Sequence, residues 1–531
     1  MDLTGDRPSS PATLSAGSFP FGLSSKYHLP LLICIALVAR FAVFHWDQVI
    51  FSWRSTDMAS IALNYYRNGL HFLSPQINWG GNGPGYVEME FPIIPFVLAL
   101  LYKIFGIQEW LALLIPMLSG LGLVVLMYLF CRRIFDPATG FIAGIFTATS
   151  PPLVDQSMAL WPDPPMLLCG AIGLYFIFRW AEEDSLRPFF IGALATSLAI
   201  LLKLTALYLG IPILYLCIVR HGYQLWKKPV VWLLAALILI PPLLWYTHAY
   251  ELYREYHNTF GILSGGFLKL ATATVLLNPA FYGLSLGRMV FYHFTPIVFV
   301  LFLFGVFRRQ VDGFHYIFHA WWGAVALYLL VAARGVAIGH FQYMLPVVPP
   351  GAALAGFGTT VLLDKIGSTR VLARWSRGAW TILLTLIFLV GTVAATYVYQ
   401  LPKYTTHMWN NDKKIGLEVG KLTAAGSLII VVDNQMGGPP DGIMTPPNVF
   451  YFSDRHGWYL ALSWLTEDLI EKRREEGAHY LVITGNTVDL FKESYRPIEE
   501  YLNSHYFTIL SGKDGIIYDL ERRRDKELTT K

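Results

Sequence analysis

Long apolar runs alternate with short polar segments from about residue 29 to residue 398. A charge-poor run of roughly 20 residues is long enough to cross a bilayer as a helix. The pattern predicts spans near residues 29–46, 110–131, 138–155, 164–180, 188–203, 205–220, 229–247, 290–307, 314–333, 341–363 and 378–398. The chain is therefore predicted to be an α-helical polytopic membrane protein with about 11 transmembrane helices. Residues 1–28, rich in Ser, Pro and Gly, are predicted to be a disordered cytoplasmic tail.

The distribution of Lys and Arg among the short loops gives the predicted sidedness. Alternate loops carry basic residues, at Arg132–Arg133, Arg179 with Arg187, Arg220 with Lys227–Lys228, Arg308–Arg309 and Lys365–Arg377. Because cytoplasmic loops are enriched in Lys and Arg, the loops with Asp57 and Asp163 are predicted to face outside. The net charge of +4 reflects this topology and does not indicate a nucleic-acid partner.

Two outer segments are predicted to be interfacial helices rather than spans. Residues 91–105 are apolar but shorter than a span, and counting them as one would invert every later loop. Residues 57–69 follow the period of an amphipathic helix, with Ser55 and Thr56 able to cap it. Asp57 would then lie at the positive end of this helix, where a carboxylate tends to stay ionised.

The composition changes near residue 401 to that of a soluble domain. Strands are predicted at residues 427–434, 479–485, 506–510 and 515–520, and helices at residues 466–476 and 487–502. This alternation predicts a small extracytoplasmic α/β domain over residues 401–531, after a transmembrane catalytic domain over residues 29–400.

Titratable side chains collect at the outer mouth of the predicted bundle, where a carboxylate costs free energy unless it binds or reacts. We interpret three carboxylates as candidate catalytic residues, namely Asp57, Asp163 and Glu90. The candidate substrate-binding residues are Lys203, Arg334, Tyr343, Glu88, His340 and Tyr253. Carboxylates beside cations suit an acceptor hydroxyl that needs a general base and a phosphate leaving group that needs positive charge.

Structural roles stay open for these residues. Asp57 and Asp163 could cap helices, and Lys203 could extend to the membrane interface. A divalent-metal site formed by Asp57, Asp163 and His257 is an alternative, although no spacing signature marks it. The glycine-rich segment 80–85 lacks the Gly-Lys-Ser/Thr ending of a nucleotide-binding loop, so we predict a flexible turn or lid. Contact with the substrate through the backbone of this segment is the alternative.

The sequence resembles the membrane glycosyltransferases of families 39 and 83. The resemblance rests on Asp57 opening its helix, Glu90-Phe91-Pro92, Pro162-Asp163-Pro164, Leu202-Lys203-Leu204-Thr205 and His340-Phe341-Gln342-Tyr343. These families include dolichyl-phosphate-mannose protein mannosyltransferases and bacterial aminoarabinose transferases that act on lipid A. The latter have Glu-Lys-Pro-Pro where this chain has Glu90-Phe91-Pro92-Ile93, which argues against lipid A as the acceptor.

The resemblance implies a GT-C fold and an enzyme whose sugar donor is carried on a polyprenyl phosphate. It implies that Asp57 is the catalytic base or a metal-site carboxylate, and that Asp163 and Glu90 match further acidic positions. Lys203, with Arg334 and Tyr343, would meet the donor phosphate. The expected acceptor is a lipid, glycan or protein at the outer face of the membrane.

The cellular location and two other functions are also expectations at this point. Short outer loops without cysteine pairs favour a bacterial inner membrane. A surface-polysaccharide polymerase or ligase would use diphosphate-linked glycans at the same face. A lipid or sugar transporter would need polar residues in mid-span, where this chain has few apart from Arg40.

Overall fold

The membrane part is helical and the C-terminal part is built on a sheet in the computed structural model of the chain. The structure describes residues 25–42, 52–264, 269–367, 407–434 and 447–524, with a few single positions between 386 and 398. Most of the predicted tail and most of the predicted span 378–398 lie outside the described residues.

The helices of the membrane part are α1 (His28–Phe41), α2 (Trp53–Asn68), α3 (Ile93–Phe105), α4 (Leu111–Ile134), α5 (Pro137–Ala148), α6 (Pro151–Gln156), α7 (Asp163–Glu183), α8 (Leu186–Leu202), α9 (Gly210–His221), α10 (Pro229–Tyr256), α11 (Ala273–Leu276), α12 (Pro279–Arg288), α13 (Pro296–Val306), α14 (Ile317–Val331), α15 (Ala333–Ala337) and α16 (Val348–Gly367). Aromatic and aliphatic side chains of these helices form one large buried cluster between them. A helical bundle is therefore confirmed.

Six helical stretches among the described residues are long and apolar enough to cross a membrane. They are Leu111–Ile134, Asp163–Glu183, Leu204–Lys227, Pro229–Tyr256, Phe314–Val331 and Gln342–Leu363. Helices α5 and α8 are apolar but shorter, and α5 ends at Ala148 rather than near residue 155, just before Pro151 and Pro152. The total of eleven spans stays a prediction.

The predicted span 290–307 is broken. Pro279–His293 and Pro296–Val306 meet at a bend of 106°. Thr295, at φ 64°, lies at the break, because the ring of Pro296 disfavours the helical conformation for the residue before it. The segment predicted as one span is therefore part of two helices, and the first of them begins inside the predicted outer loop.

Helix α3 confirms the short apolar helix predicted over residues 91–105. Helix α2, in contrast, begins at Trp53 rather than at residue 57, because Ser52 caps it by accepting a hydrogen bond from the Ser55 amide at 3.3 Å. Asp57 is thus inside the helix and not at its positive end. Residues 55–65 are all buried within the protein, and the position of α2 at the membrane interface stays a prediction.

The glycine-rich segment belongs to an ordered hairpin that covers α2, which we call the glycine hairpin (residues 76–86). Gln76 and Tyr86 pair across it, and the Ile77 amide donates to the Gly85 carbonyl at 2.8 Å. Gly85 has φ 72°, and a Cβ there would lie 2.4 Å from the Ile77 carbonyl oxygen, so this turn requires glycine. The predicted turn is therefore present at these residues, and a role as a flexible lid stays a prediction.

The C-terminal part contains a five-stranded sheet in the order β2-β1-β3-β5-β4. Its strands are β1 (Leu428–Asp433), β2 (His456–Ala461), β3 (Ala478–Thr484), β4 (Tyr506–Gly512) and β5 (Gly515–Arg523). Strands β1, β2 and β3 are parallel, and β5 runs antiparallel to both β3 and β4. Four strands match the predicted ones, whereas β2 was not predicted.

The helices of this part are His407–Leu422, Asn448–Ser453, Glu467–Glu475, Val488–Ser494 and Arg496–His505. The single helix predicted over residues 487–502 is two helices that break at Tyr495. The sheet domain contacts the membrane part through the glycine hairpin, and Arg67 of α2 forms an ion pair with Asp454. The C-terminal domain therefore lies on the same face as Asp57.

Candidate active site

Asp57 lies in the second turn of α2 with its side chain buried, at 1% exposure. Its Oδ1 accepts a hydrogen bond from the indole Nε1 of Trp79 at 3.2 Å. Its Oδ2 has no hydrogen-bond partner among the residues that the structure describes. One carboxylate oxygen is thus held by the protein, and the other is buried without a hydrogen-bond partner among the described residues.

Burial raises the pKa of Asp57 to about 8, because the charged form loses its hydration. The positive charge of Arg54 and the hydrogen bond from Trp79 oppose this shift, and the negative charge of Glu90 adds to it. The carboxyl group is therefore balanced between its two protonation states near neutral pH. The expectation that the helix end keeps it ionised was wrong, since the helix begins four residues earlier, at Trp53.

Arg54, one turn before Asp57, forms an ion pair with Glu90. Its guanidinium carbon also lies 4.7 Å from the centroid of the Phe260 ring. Both partners are largely buried, with side-chain exposures of 17% and 7%. Because Glu90 is already paired with Arg54, the Glu90 oxygens are less available for proton transfer than those of Asp57. The catalytic role of Glu90 stays a prediction.

Asp163 and Lys203 form the second charged pair of the site. Asp163 is the first residue of α7, and Lys203 follows the last residue of α8. The Lys203 ammonium donates to Asp163 Oδ1 at 2.6 Å and lies 5.2 Å from the centroid of the Tyr343 ring. Lys203 therefore points into the protein and does not extend to the membrane interface.

Lys269 lies near both the Arg54–Glu90 pair and the Asp163–Lys203 pair, although the sequence did not single it out. Its ammonium donates to the Gly261 carbonyl at 3.1 Å, and the charges of Glu90, Arg54 and Lys203 all act on it. Burial lowers the pKa of Lys269. Lys269 lies in a long loop without a motif, so the sequence alone did not indicate that it lies near the charged pairs.

The segment around Tyr343 closes this region. A Cβ on Gly335 would lie 2.6 Å from the Tyr343 ring and 3.5 Å from Lys269 Cβ, so the three residues pack together. Burial and the charges of Lys269 and Lys203 lower the pKa of His340 to about 4, which makes its ring neutral at pH 7. Arg334 is half-buried and forms no ion pair within the described parts of the chain.

Glu88 has partners on both oxygens. Its Oε1 accepts from the Leu263 amide at 2.7 Å and the Ser264 amide at 3.3 Å, and its Oε2 accepts from the Thr259 and Ser264 hydroxyls. Glu88 thereby anchors the segment that follows α10 and leads to Lys269. Direct substrate contact by Glu88 stays a prediction, and this anchoring role is one that sequence reasoning missed.

Tyr253 and His257 lie at the end of α10, where their rings contact each other with centroids 6.2 Å apart. Tyr253 is half-buried and His257 is exposed. Within the described ranges, no three His, Cys, Asp or Glu side chains are grouped so that they could hold a metal ion. The structure therefore does not gather Asp57, Asp163 and His257 into the metal site considered from the sequence.

Parts of this chain are similar to known proteins in sequence and in structure. Residues 89–246 match the sequence model of the family described as dolichyl-phosphate-mannose-protein mannosyltransferase. This stretch contains Glu90, Asp163 and Lys203. No match was found among curated protein sequences.

Solved structures cover most of the chain at low identity. ArnT from Cupriavidus metallidurans bound to undecaprenyl phosphate is similar with a TM-score of 0.65 and 14% identity, over 94% of this chain and 98% of that chain. The oligosaccharyltransferase of Archaeoglobus fulgidus in complex with Zn and sulfate is similar with a TM-score of 0.57 and 14% identity, over 93% of this chain and 73% of that chain. The same enzyme tethered to an acceptor peptide is similar with a TM-score of 0.56 and 14% identity, over 94% and 74% of the two chains.

The chain therefore has the GT-C fold, and its predicted resemblance to the GT-C membrane glycosyltransferases is confirmed. The family model matches residues 89–246, and the similarity in fold extends over most of the chain.

Proposed function

We propose that the protein is an inverting glycosyltransferase that moves a sugar from a polyprenyl-phosphate donor to an acceptor at the outer face of the membrane. The observation that carries the proposal is Asp57, a buried carboxylate with one free oxygen, in the same region as Lys203 and Lys269. A base and phosphate-binding cations are the two groups that this reaction needs.

In the proposed reaction, Asp57 Oδ2 accepts the proton of the acceptor hydroxyl. The hydroxyl oxygen then forms a bond to the anomeric carbon while the bond from that carbon to the donor phosphate oxygen breaks. Attack from the side opposite the phosphate inverts the anomeric configuration. The bond electrons leave with polyprenyl phosphate, whose charge changes from −1 as a diester towards −2 as a monoester.

The surplus cations of the site match this developing charge. Arg54 is balanced by Glu90 and Lys203 by Asp163, whereas Lys269 and Arg334 form no ion pair among the described residues. Positive charge that is already in place where negative charge develops lowers the barrier without reorganisation. We therefore assign Lys269 and Arg334, with Lys203 and Tyr343, to the donor phosphate.

The solved structures support the kinds of substrate in this proposal. The ArnT structure contains undecaprenyl phosphate, and one archaeal oligosaccharyltransferase structure contains an acceptor peptide. We propose a polyprenyl-phosphate donor and a lipid, glycan or protein acceptor, with a bacterial inner membrane as the location. Because Asp57, Asp163 and His257 are not grouped in the described chain, we assign no step to a metal ion.

Binding of the lipid carrier tests the donor class. We expect undecaprenyl phosphate to raise the unfolding temperature of the purified protein in detergent at a concentration at least tenfold lower than undecaprenyl diphosphate. Lys269→Ala should weaken binding of the monophosphate by about tenfold or more, because a hydrogen bond to a charged group contributes about 1.5–3 kcal/mol. Titrations followed by thermal unfolding measure both.

Lys103→Ala is the matched control, since Lys103 is an exposed lysine at the end of α3 and should leave binding unchanged. Tighter binding of the diphosphate would contradict the proposed donor and favour a polymerase or ligase that uses diphosphate-linked glycans. Unchanged affinity in Lys269→Ala would remove Lys269 from the phosphate site.

A further inference from the structure

The glycine hairpin joins the edge of the C-terminal sheet to the helix that carries Asp57. Strand β2 is an edge strand, and edge strands present unpaired amide and carbonyl groups. The Gly81 amide donates to the Gly457 carbonyl at 2.8 Å, and the Gly457 amide donates to the Asn78 carbonyl at 3.0 Å. Gly80 also pairs with Trp458 in antiparallel fashion. The hairpin thus occupies part of this edge.

The other side of the hairpin is tied to α2. The Asn64 side-chain amide donates to the Gln76 carbonyl and to Asn78 Oδ1, both at 2.8 Å. Asn78 therefore has one partner on α2 and one on β2, which fixes the backbone of the next residue, Trp79, between the two elements.

Trp79 uses this fixed position to reach Asp57. Its side chain is 4% exposed, and its ring centroid lies 6.2 Å from that of Phe260. An indole nitrogen can only donate, so its bond to Asp57 Oδ1 holds that oxygen and leaves Oδ2 for another donor. The hydrogen bond also determines the rotation of the carboxylate.

We propose that Trp79 is a positioning residue for the transfer reaction, and that the C-terminal domain holds it in place through the contact of β2 with the glycine hairpin. This inference rests on the proposed role of Asp57 as the general base. It makes the C-terminal domain part of the catalytic unit, because Gly457 and Trp458 determine where the hairpin lies.

Trp79→Phe tests the hydrogen bond, because it keeps a buried ring and removes the donor. We expect kcat for transfer of labelled sugar to acceptors in native membranes to fall about tenfold, as for loss of a hydrogen bond to a charged group. The KM for the donor should stay within about twofold, since Trp79 orients the base and does not bind the donor. The unfolding temperature is measured alongside.

Two glycines of the same hairpin test the contribution of the C-terminal domain. A Cβ at Gly81, where φ is 75°, would lie 2.7 Å from Trp458 Nε1, whereas a Cβ at Gly83 would meet only the Gly80 carbonyl at 3.7 Å. Gly81→Ala should therefore lower kcat by about as much as Trp79→Phe, and Gly83→Ala should leave it unchanged. The double variant Trp79→Phe/Gly81→Ala should lose little more than either single variant, because both remove the same hydrogen bond.

The outcomes separate this inference from the proposed function. An inactive Asp57→Asn variant together with normal kcat in Trp79→Phe would overturn the positioning role and keep Asp57 as the base. If the kcat losses of the two single variants multiply in Trp79→Phe/Gly81→Ala, the link between Trp79 and the C-terminal domain is overturned. Full activity of Asp57→Asn would instead overturn the role of Asp57 as the general base, on which this inference rests.

Discussion

Replacing Asp57 by Asn is expected to lower kcat by about 10²–10⁴-fold, the range that a general base contributes. Asn has the shape of the protonated carboxyl group and keeps an oxygen for the Trp79 donor, but it cannot accept the proton of the acceptor hydroxyl. Binding of undecaprenyl phosphate should change little, because the assigned phosphate contacts lie on other residues. Single-turnover transfer and lipid titration on the same preparations measure the two effects.

The pH dependence distinguishes loss of a base from a change of shape. Since burial raises the pKa of Asp57 to about 8, the wild-type rate should increase tenfold per pH unit below about pH 8 and level off above it. The residual rate of Asp57→Asn should lack this rise. Glu500→Gln, which alters an exposed carboxylate of the C-terminal domain, should keep both the wild-type rate and its pH profile. A flat wild-type profile between pH 6 and 9 would contradict the role of Asp57.

Replacing Lys203 by Met is expected to lower the free energy of unfolding by about 3–5 kcal/mol, the usual cost of leaving one partner of a buried ion pair alone. Asp163 is 1% exposed and its Oδ1 accepts from Lys203 at 2.6 Å, so the substitution leaves a buried carboxylate without its cation. Denaturant unfolding of the purified protein in mixed micelles measures the loss.

A double variant separates stability from phosphate binding. Lys203→Met/Asp163→Asn should recover most of the lost stability, because no buried charge remains, but it should not recover donor affinity. Lys421→Met is the matched control, since Lys421 pairs with Glu418 at an exposed position and should leave stability nearly unchanged. If Lys203→Met and Lys203→Met/Asp163→Asn lose equal free energy of unfolding, the Lys203–Asp163 ion pair does not account for the stability of this region.

The sequence was sufficient for the features that depend on local pattern. Apolar runs predicted the bundle, and the sidedness of the basic loops predicted that Asp57, Glu90, Asp163 and Lys203 lie at one face. The structure places Asp163 beside Lys203, and the charge of Glu90 acts on Asp57. Asp57 and Glu90 share one predicted outer loop, whereas Asp163 and Lys203 come from two other segments, so the predicted topology was needed to group them.

The rest of the site depends on contacts between distant residues. Trp79 reaches Asp57 from the glycine hairpin, and Arg54 of α2 pairs with Glu90, which precedes α3. Lys269 comes from a loop without a motif. Sequence reasoning had one unused signal here, since Arg54 is three residues before Asp57 and therefore on the same side of the helix. Strand β2 was missed because Gly457 lowers strand propensity, yet a Cβ there would lie 1.9 Å from the Ile429 carbonyl oxygen.

The most direct test is transfer by the purified protein from synthetic undecaprenyl-phosphate sugars, labelled in the sugar, to acceptors of native membranes. We predict that labelled product forms from a monophosphate-linked donor with release of undecaprenyl phosphate, and that its anomeric configuration is inverted. Product formation from a diphosphate-linked glycan, with none from any monophosphate-linked sugar, would contradict the proposed function.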